Sequence, residues 1–247
     1  MNLANWLERT ALRHPNRKAL FLGSECIGTY KDFWLAVCAL RFHLEKEGVK
    51  SGDRVAVYMQ NCPEFLVAFY AVWSMGAVIV PINFKLHLRE VSWILENAEC
   101  SYILGDTVLA SDISLPDITV FAPKWDQLST NIQVSPVSCS FNDLAWLFYT
   151  SGTTGKPKGV MITHGMIKTM ALSYFADVDQ VYQSDTALYA APMSHGAGLY
   201  SIMHVLVGSR HAIPISGGFA EQEIFNIAEK LNNIHMFAAP TMVKRLT

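Results

Sequence analysis

Eleven residues near the middle of the chain have the composition of an anion-binding loop. Residues 149–159 read YTSGTTGKPKG, with three Gly, three Thr, one Ser, two Lys and no acidic residue. Glycine lets consecutive amides turn toward one point, and such a concave run of N–H groups binds an anion. Hydroxyls add further donors, and lysines supply full positive charge against a polyphosphate. The segment is therefore predicted to bind phosphate groups.

The spacing within this loop excludes the Walker phosphate loop. A Walker loop has four residues between its glycines and a Ser or Thr directly after its lysine. Here two residues separate Gly152 from Gly155, and Pro157 follows the first lysine. Apolar runs typical of strands flank the loop at 144–148 and 160–162, so the anion site is expected to depend on amides, hydroxyls and lysines. The alternative is an ordinary Gly- and Lys-rich surface loop.

Strands that alternate with helices surround this loop. Strands are predicted at 19–22, 25–28, 54–59, 77–80, 101–104, 117–121, 145–149, 159–162, 186–190, 211–214 and 235–238. Helices are predicted at 2–13, 30–47, 63–75, 88–97, 165–176, 198–207 and 220–231, with another beginning at Pro240. Several strands are apolar on both faces, which is typical of parallel sheets covered on both sides. The predicted fold class is α/β, with mostly parallel sheets covered by helices on both faces.

One uncharged run meets the lower length limit for a membrane span. Residues 65–82 contain no charged side chain. However, Pro63 and Glu64 suit the first turn of a helix, Gly76 suits its end, and Pro81 ends a short β-branched run. The sequence therefore predicts a buried helix, a turn and a buried strand, and no stable membrane span.

Composition narrows the function classes. The formal net charge is −2, and no block of Lys or Arg indicates nucleic-acid binding or an anionic membrane surface. The five cysteines and eight histidines lack CxxC and HExxH spacing, which argues against a disulfide framework and a zinc enzyme. The cysteines are interpreted as buried thiols in a cytoplasmic protein.

The loop and several other segments resemble one enzyme superfamily. YTSGTTGKPKGV at 149–160 resembles the signature of adenylate-forming enzymes, which include acyl- and aryl-CoA ligases, peptide-synthetase adenylation domains and beetle luciferases. GVKSGDRVAV at 48–57, GAVIVPIN at 76–83, APMSHGAG at 191–198 and APT at 239–241 extend the likeness, as do Asn61, Glu64 and Phe65. Asn83 stands where peptide-synthetase domains more often have Asp, which favours CoA ligases and leaves the peptide-synthetase type as an alternative.

The resemblance implies a reaction and assigns residues to it. A carboxylic acid, fatty or aryl, would attack the α-phosphorus of ATP bound with Mg²⁺, and the thiol of CoA or of a carrier protein would then displace AMP. The resemblance assigns the ATP phosphates to Thr150, Ser151, Gly152, Thr153, Thr154, Gly155 and Lys158, and a Mg²⁺ contact through ATP to Thr154. It places His195 and Gly196 at the acyl or carboxylate pocket. The alternative for His195 is a histidine packed at a strand end.

The resemblance covers only the N-terminal half of the family's length. The 247 residues contain no GYG or TGD motif for adenine and ribose, and the resemblance places the adenylation Lys in a later domain. We therefore expect a fragment with no certain catalytic residue, inactive by itself. The expected division is residues 1–47 and 208–247 in a second, incomplete subdomain that shares one sheet, and 48–207 in the subdomain with the phosphate loop. Leftover apolar faces predict either homodimerisation or disorder.

Two other functions compete with this interpretation. Residues 194–198 resemble the HGGG oxyanion loop of α/β-hydrolases, which also need a later G-x-S-x-G. The nearest match, at 214–218, has Pro where the first Gly belongs, so a hydrolase is disfavoured. The other alternative is a free-standing nucleotide- or anion-binding module.

Overall fold

The structure is a computed structural model that describes residues 1–105, 118–121, 132–150 and 156–247. The chain divides into two compact units. Unit 1 comprises Met1–Asn5, Leu35–Met59 and Val67–Lys168, and unit 2 comprises Trp6–Trp34, Gln60–Leu66 and Thr169–Thr247.

Strands and helices alternate along most of the described chain. In order they are α1 (Ala4–Arg13), β1 (Lys18–Leu22), β2 (Glu25–Thr29), α2 (Tyr30–Lys46), β3 (Arg54–Tyr58), α3 (Pro63–Ser74), β4 (Val78–Pro81), α4 (Leu88–Asn97), β5 (Tyr102–Gly105), β6 (Thr119–Phe121), β7 (Leu144–Thr150), β8 (Lys158–Thr163), α5 (His164–Asp177), β9 (Thr186–Leu188), α6 (Gly196–Leu199), α7 (Ser201–Val207), β10 (Arg210–Ile213), α8 (Glu221–Leu231), β11 (Ile234–His235) and α9 (Pro240–Leu246).

Unit 1 contains a six-stranded sheet in the order β6-β5-β3-β4-β7-β8. The first five strands are parallel, and β8 pairs antiparallel with β7. All four residues of β4 are buried, as expected for a strand with apolar neighbours on both faces. Helix α4 packs Val91, Ile94 and Leu95 into the same core cluster as Ala56 of β3 and Ile103 of β5.

Unit 2 contains a five-stranded sheet in the order β11-β9-β10-β1-β2. Its strands are parallel except that β2 pairs antiparallel with β1. β1 pairs with β10 in the register Leu20↔His211, so the early segment and the segment after residue 207 share a sheet, as expected. Helix α8 packs Ile224 and Ile227 against Phe21 of β1 and Ala212 of β10 in one core cluster.

The α/β fold class is confirmed, with two mixed sheets flanked by helices. The expected segmentation differs from the structure. β9 pairs with β10 and β11, and residues 169–207 belong to unit 2, although they were assigned to the loop subdomain. Residues 35–47 belong to unit 1, although they were assigned to the second subdomain. Long-range strand pairing decides membership of a unit, and local patterns along the chain do not report it.

The uncharged run at 65–82 forms the predicted helix, turn and strand. Helix α3 ends at Ser74, Gly76 has a positive φ of 71°, and β4 begins at Val78. No helix in the described part of the chain is long and apolar enough to cross a membrane.

Three local predictions were wrong in detail. The helix predicted at 198–207 is two short helices, α6 and α7, which meet at Tyr200. The strand predicted at 235–238 is only β11, because just two residues pair with β9. All five cysteines were expected to be buried, but Cys62 is only partly buried and Cys26 is exposed. It lies on β2, which pairs on one side with β1 and forms an edge of the described sheet.

Candidate functional site

Two antiparallel strands of unit 1 flank the predicted phosphate loop. β7 ends at Thr150 and β8 begins at Lys158, and these two residues are paired in register. Both side chains belong to exposed residues. Because β7 runs parallel to β4, Thr150 at its end lies at the carboxyl edge of the parallel strands, where open α/β sheets bind ligands. The remaining loop residues assigned to ATP, Ser151, Gly152, Thr153, Thr154 and Gly155, lie outside the described residues.

Tyr149 and Gly159 fit closely together at the base of this hairpin. A Cβ at Gly159 would lie 2.9 Å from Cζ of the Tyr149 ring, so a side chain there would force that ring to move. The Tyr149 hydroxyl donates a hydrogen bond to Oδ1 of Asn97 at 2.7 Å. Burial raises the pKa of Tyr149 to about 12, which keeps the phenol protonated as this donor. One glycine of the loop motif is therefore explained by packing.

Helix α4 holds the downstream end of the loop through Trp93. The indole Nε1 donates to the carbonyl of Pro157 at 3.2 Å. The ammonium of Lys156 lies 3.9 Å from the centroid of a Trp93 ring, in a cation–π contact. The first lysine of the motif thus contacts an aromatic face, whereas Lys158 is the lysine assigned to phosphate. No local pattern identified Trp93, since its distance along the sequence from the loop conceals the contact.

His195 and Gly196 lie at the start of helix α6 in unit 2. His195 is the residue before the helix, and its Nδ1 lies 3.1 Å from Ser194 Oγ. Burial lowers the pKa of His195, so the neutral imidazole predominates near pH 7. A Cβ at Gly196 would lie 2.6 Å from Cζ of Phe237, so only glycine allows that ring to pack where it does.

Asn61 fixes the segment that leads to His195. Its buried amide donates to the carbonyls of Tyr189 at 3.0 Å and Ala191 at 2.8 Å, and it accepts from the N–H of Met193 at 2.9 Å. Three hydrogen bonds of one side chain therefore hold the irregular segment after β9. The sequence indicated Asn61 only through the family resemblance, and its hydrogen bonds to the backbone are visible only in the structure.

A cavity of about 450 Å³ opens within unit 2 beside these residues. Its volume lies in the usual range for small-molecule sites, about 300–1,000 Å³. Ala197, two residues after His195, lines it, as does Phe237. The apolar part of the wall also includes Leu188, Tyr200, Met203 and Met236, and the polar part includes Asp179, His204 and His235.

Resident metal binding has little support within the described residues. No group of three or more His, Cys, Asp or Glu side chains in that part of the chain is arranged to hold a metal ion. Thr154, the predicted Mg²⁺ contact through ATP, lies outside the described residues.

Comparison with known sequences identifies a family and several relatives. The AMP-binding enzyme family matches residues 7–247. The chain is 27% identical over 246 residues to a feruloyl-CoA synthase of Amycolatopsis sp., covering 99% of this chain and 50% of that protein. It is 32% identical over 216 residues to a 2-succinylbenzoate–CoA ligase of Bacillus thuringiensis, covering 84% of this chain and 42% of that protein. The chain therefore spans about half the length of these curated relatives.

Two solved structures share the fold of this chain. The N-terminal domain of FACL13 from Mycobacterium tuberculosis matches with a TM-score of 0.87 and 26% identity, covering 100% of this chain and 64% of that one. O-succinylbenzoate Coenzyme A synthetase (MenE) from Bacillus subtilis, in complex with AMP, matches with a TM-score of 0.86 and 26% identity, covering 98% and 63%. The chain belongs to the AMP-binding enzyme family.

Proposed function

We propose that this chain supplies the ATP phosphate loop and the acid-binding cavity of an AMP-forming acid–CoA ligase. The paired ends of the signature loop, Thr150 and Lys158, carry this proposal, because they lie at the carboxyl edge of the parallel strands. The CoA-ligase names of the relatives support the reaction class. CoA is accordingly the proposed acceptor, in preference to a carrier-protein thiol.

The proposed reaction has two steps. A carboxylate oxygen of the acid attacks the α-phosphorus of ATP, and the bond to pyrophosphate breaks. The thiolate of CoA then attacks the carbonyl carbon of the acyl-adenylate, and AMP leaves with the electrons of the broken C–O bond. Neither step needs a protein nucleophile, so the chain contributes by positioning the reactants and stabilising charge.

The phosphate loop would stabilise the leaving pyrophosphate. Lys158 supplies a full positive charge, and the hydroxyl of Thr150 supplies a donor, at the two ends of a loop rich in amides and hydroxyls. Mg²⁺ would neutralise further charge on the phosphates of ATP. Residues 151–155 are proposed as the remaining contacts.

The cavity in unit 2 would hold the acid, with His195 and Gly196 at the start of its helical wall. Its aromatic side chains favour an aryl acid over a long fatty acid, because flat rings pack face to face or edge to face with substrates of the same shape. Feruloyl-CoA synthase and 2-succinylbenzoate–CoA ligase, both similar to this chain, are named for aryl acids. We propose an aryl acid as the substrate.

Pyrophosphate binding tests the phosphate loop directly. Isothermal titration of the chain with Mg-pyrophosphate is expected to show binding that Lys158→Ala weakens by about tenfold or more, since a hydrogen bond to a charged group contributes about 1.5–3 kcal/mol. Lys230→Ala, which removes an exposed lysine from α8 in unit 2, serves as the matched control and should leave binding unchanged. Equal affinity for all three proteins would refute the assignment.

Free thiols support a cytoplasmic location, which we also propose. Cys26, Cys38, Cys62, Cys100 and Cys139 are all free. Free cysteines are typical of reducing compartments.

A further inference from the structure

A second cavity in unit 2 lies at the amino edge of its parallel strands. It has a volume of about 340 Å³, within the usual range for small-molecule sites, about 300–1,000 Å³. The segments that lead into the parallel neighbours β1, β9 and β10 line it. No described residue lines both this cavity and the one beside His195. The second cavity is therefore a separate candidate site.

Two arginines give this cavity a positively charged wall. Arg9 and Arg13 lie one turn apart on α1, and both line the cavity. Like charges at this spacing repel each other. Within the described part of the chain, neither arginine side chain forms an ion pair or a hydrogen bond, and no described lining residue is acidic. An anion bound between the two guanidinium groups would offset their repulsion.

The carboxylates close to this wall in the sequence contact other groups. Asp185 accepts from the N–H of Tyr182 at 2.6 Å and lies 3.2 Å from Nε2 of His235. Asp179 lies 4.0 Å from Nδ1 of the same ring. Glu8, the acidic residue of α1, does not line the cavity, and consecutive helical residues do not face each other. The positive charge of the wall is therefore not neutralised by these carboxylates.

Neutral contacts hold the opposite walls of the cavity together. The Nε2 atom of Gln183 lies 3.3 Å from Nε2 of His14. Because an amide nitrogen only donates, Nε2 of His14 accepts, and its Nδ1 carries the hydrogen as a further donor. Arg17 donates to the Gln183 carbonyl at 3.4 Å. A Cβ at Gly208 would lie 3.3 Å from Cγ2 of Thr10, so the turn before β10 packs closely on α1.

We propose that this cavity binds the phosphate group of a small phosphate monoester, with Arg9 and Arg13 donating hydrogen bonds to the phosphate oxygens. The planar fork of a guanidinium group matches the geometry of a phosphate. Leu206 and Val207 supply an apolar surface for the organic group. A concave site of this size suits a soluble molecule better than a flat membrane surface. The site is independent of the phosphate loop, which belongs to unit 1, and so of the proposed function.

Titration with propyl phosphate and inorganic phosphate, followed by ³¹P NMR, tests this site. The chain carries Lys158→Ala, which weakens the phosphate loop of unit 1. We expect saturable binding, tighter for propyl phosphate because of the apolar surface. Adding Arg9→Gln and Arg13→Gln should weaken binding by about tenfold or more, since hydrogen bonds to a charged group are lost.

A matched pair of substitutions controls for net charge. Lys230→Gln with Lys244→Gln removes two positive charges from exposed residues of unit 2 that do not line the cavity, and binding should stay unchanged. Absence of saturable binding, or equal losses in the two double variants, would overturn the proposal.

Arginine-directed labelling locates the bound phosphate on the unaltered chain. Phenylglyoxal modifies exposed arginines, and residues 149–159 contain none, so protection does not report on the phosphate loop. Propyl phosphate is expected to slow modification of Arg9 and Arg13 and to leave modification of Arg245 on α9 unchanged. Peptide mass spectrometry measures the rates. Equal rates with and without propyl phosphate would overturn the proposal even if the double variant fails to fold.

Vesicles distinguish a soluble phosphate from a lipid headgroup. Co-sedimentation with phosphatidylcholine vesicles that contain phosphatidate is expected to show no retention that depends on Arg9 and Arg13. Retention that Arg9→Gln with Arg13→Gln abolishes, in a chain that does not bind propyl phosphate, would overturn the assignment to a small molecule.

Discussion

His211 is an example of a residue whose type is explained only by its surroundings. It is fully buried in unit 2, where its Nε2 lies 3.1 Å from the Tyr30 hydroxyl and its Nδ1 lies 2.7 Å from the Tyr189 hydroxyl. Tyr30 donates to the carbonyl of Ser209 at 2.6 Å. The simplest assignment makes His211 a donor to Tyr30 and an acceptor from Tyr189, which requires a neutral ring.

The buried histidine predicts a stability that falls in mild acid. Burial lowers the pKa of His211 to about 3, against about 6.5 for an unfolded chain. Below about pH 6.5 the unfolded state binds a proton that the folded state does not, so the free energy of unfolding decreases as the pH falls from 6.5 toward 3. At pH 5 the loss from this residue is up to about 2 kcal/mol relative to pH 7.

Urea unfolding at pH 7 and pH 5 measures this effect. His211→Gln should be less stable than the unaltered chain at pH 7 but should lose less stability between the two pH values. His164 acts in the same direction, since burial lowers its pKa to about 4, so some pH dependence should remain in the variant. The same pH dependence in both proteins would contradict the prediction.

At the scale of elements, helix α4 acts as a support for the phosphate hairpin. Its first turn is capped, since His87 Nδ1 accepts from the N–H of Arg89 at 3.2 Å and Glu90 accepts from the N–H of His87 at 3.1 Å. The helix then presents Trp93 to the start of β8 and Asn97 to Tyr149 of β7. Both strands of the hairpin are therefore fixed to one rigid element.

Substitutions at Trp93 separate its two contacts. Trp93→Phe keeps an aromatic face for Lys156 but removes the hydrogen bond to Pro157, so it should cost about 1 kcal/mol of stability. Trp93→Ala removes both contacts and part of the core packing, so it should cost more, about 2–4 kcal/mol. Chemical denaturation measures both losses, and equal losses would show that the ring itself contributes nothing.

Lys156→Met provides the matched control for the ligand-binding role. If Lys156 acts through Trp93, this variant should retain most of the affinity for Mg-pyrophosphate that Lys158→Ala loses. A loss as large as that of Lys158→Ala would mean that Lys156 leaves Trp93 and contacts the ligand.

At the scale of the molecule, membership of the family does not imply that these 247 residues are active by themselves. The chain spans about half the length of its curated relatives, and it lacks the GYG and TGD motifs that the family resemblance assigns to adenine and ribose. We expect no pyrophosphate release from this chain with MgATP, CoA and a hydroxycinnamate. Turnover, or submicromolar affinity for MgATP in isothermal titration, would contradict this expectation.

Homodimer formation also stays a prediction at this scale. β8 is an edge strand of the described sheet in unit 1, and Val160 and Met161 are 51% and 65% exposed there. Exposed apolar edge strands are common sites of chain association.

The sequence predicted the family and most of the elements. The composition of the loop at 149–159 predicted anion binding, and its resemblance to a family signature predicted the family that the comparison confirmed. Helix α4 was predicted with its bounds, because its apolar periodicity and end signals are local. Gly76 likewise predicted the end of α3, which ends at Ser74.

The tertiary structure decided which distant residues meet, and therefore the units and the cavity. β9 joined unit 2 because it pairs with β10 and β11, and Trp93 met Pro157 across 64 positions of sequence. His235 and Asp185 came together because β11 pairs beside β9. Local sequence encodes periodicity and turn chemistry, whereas strand order depends on the packing of the whole chain, so no pattern around His235 could have revealed its carboxylate partner.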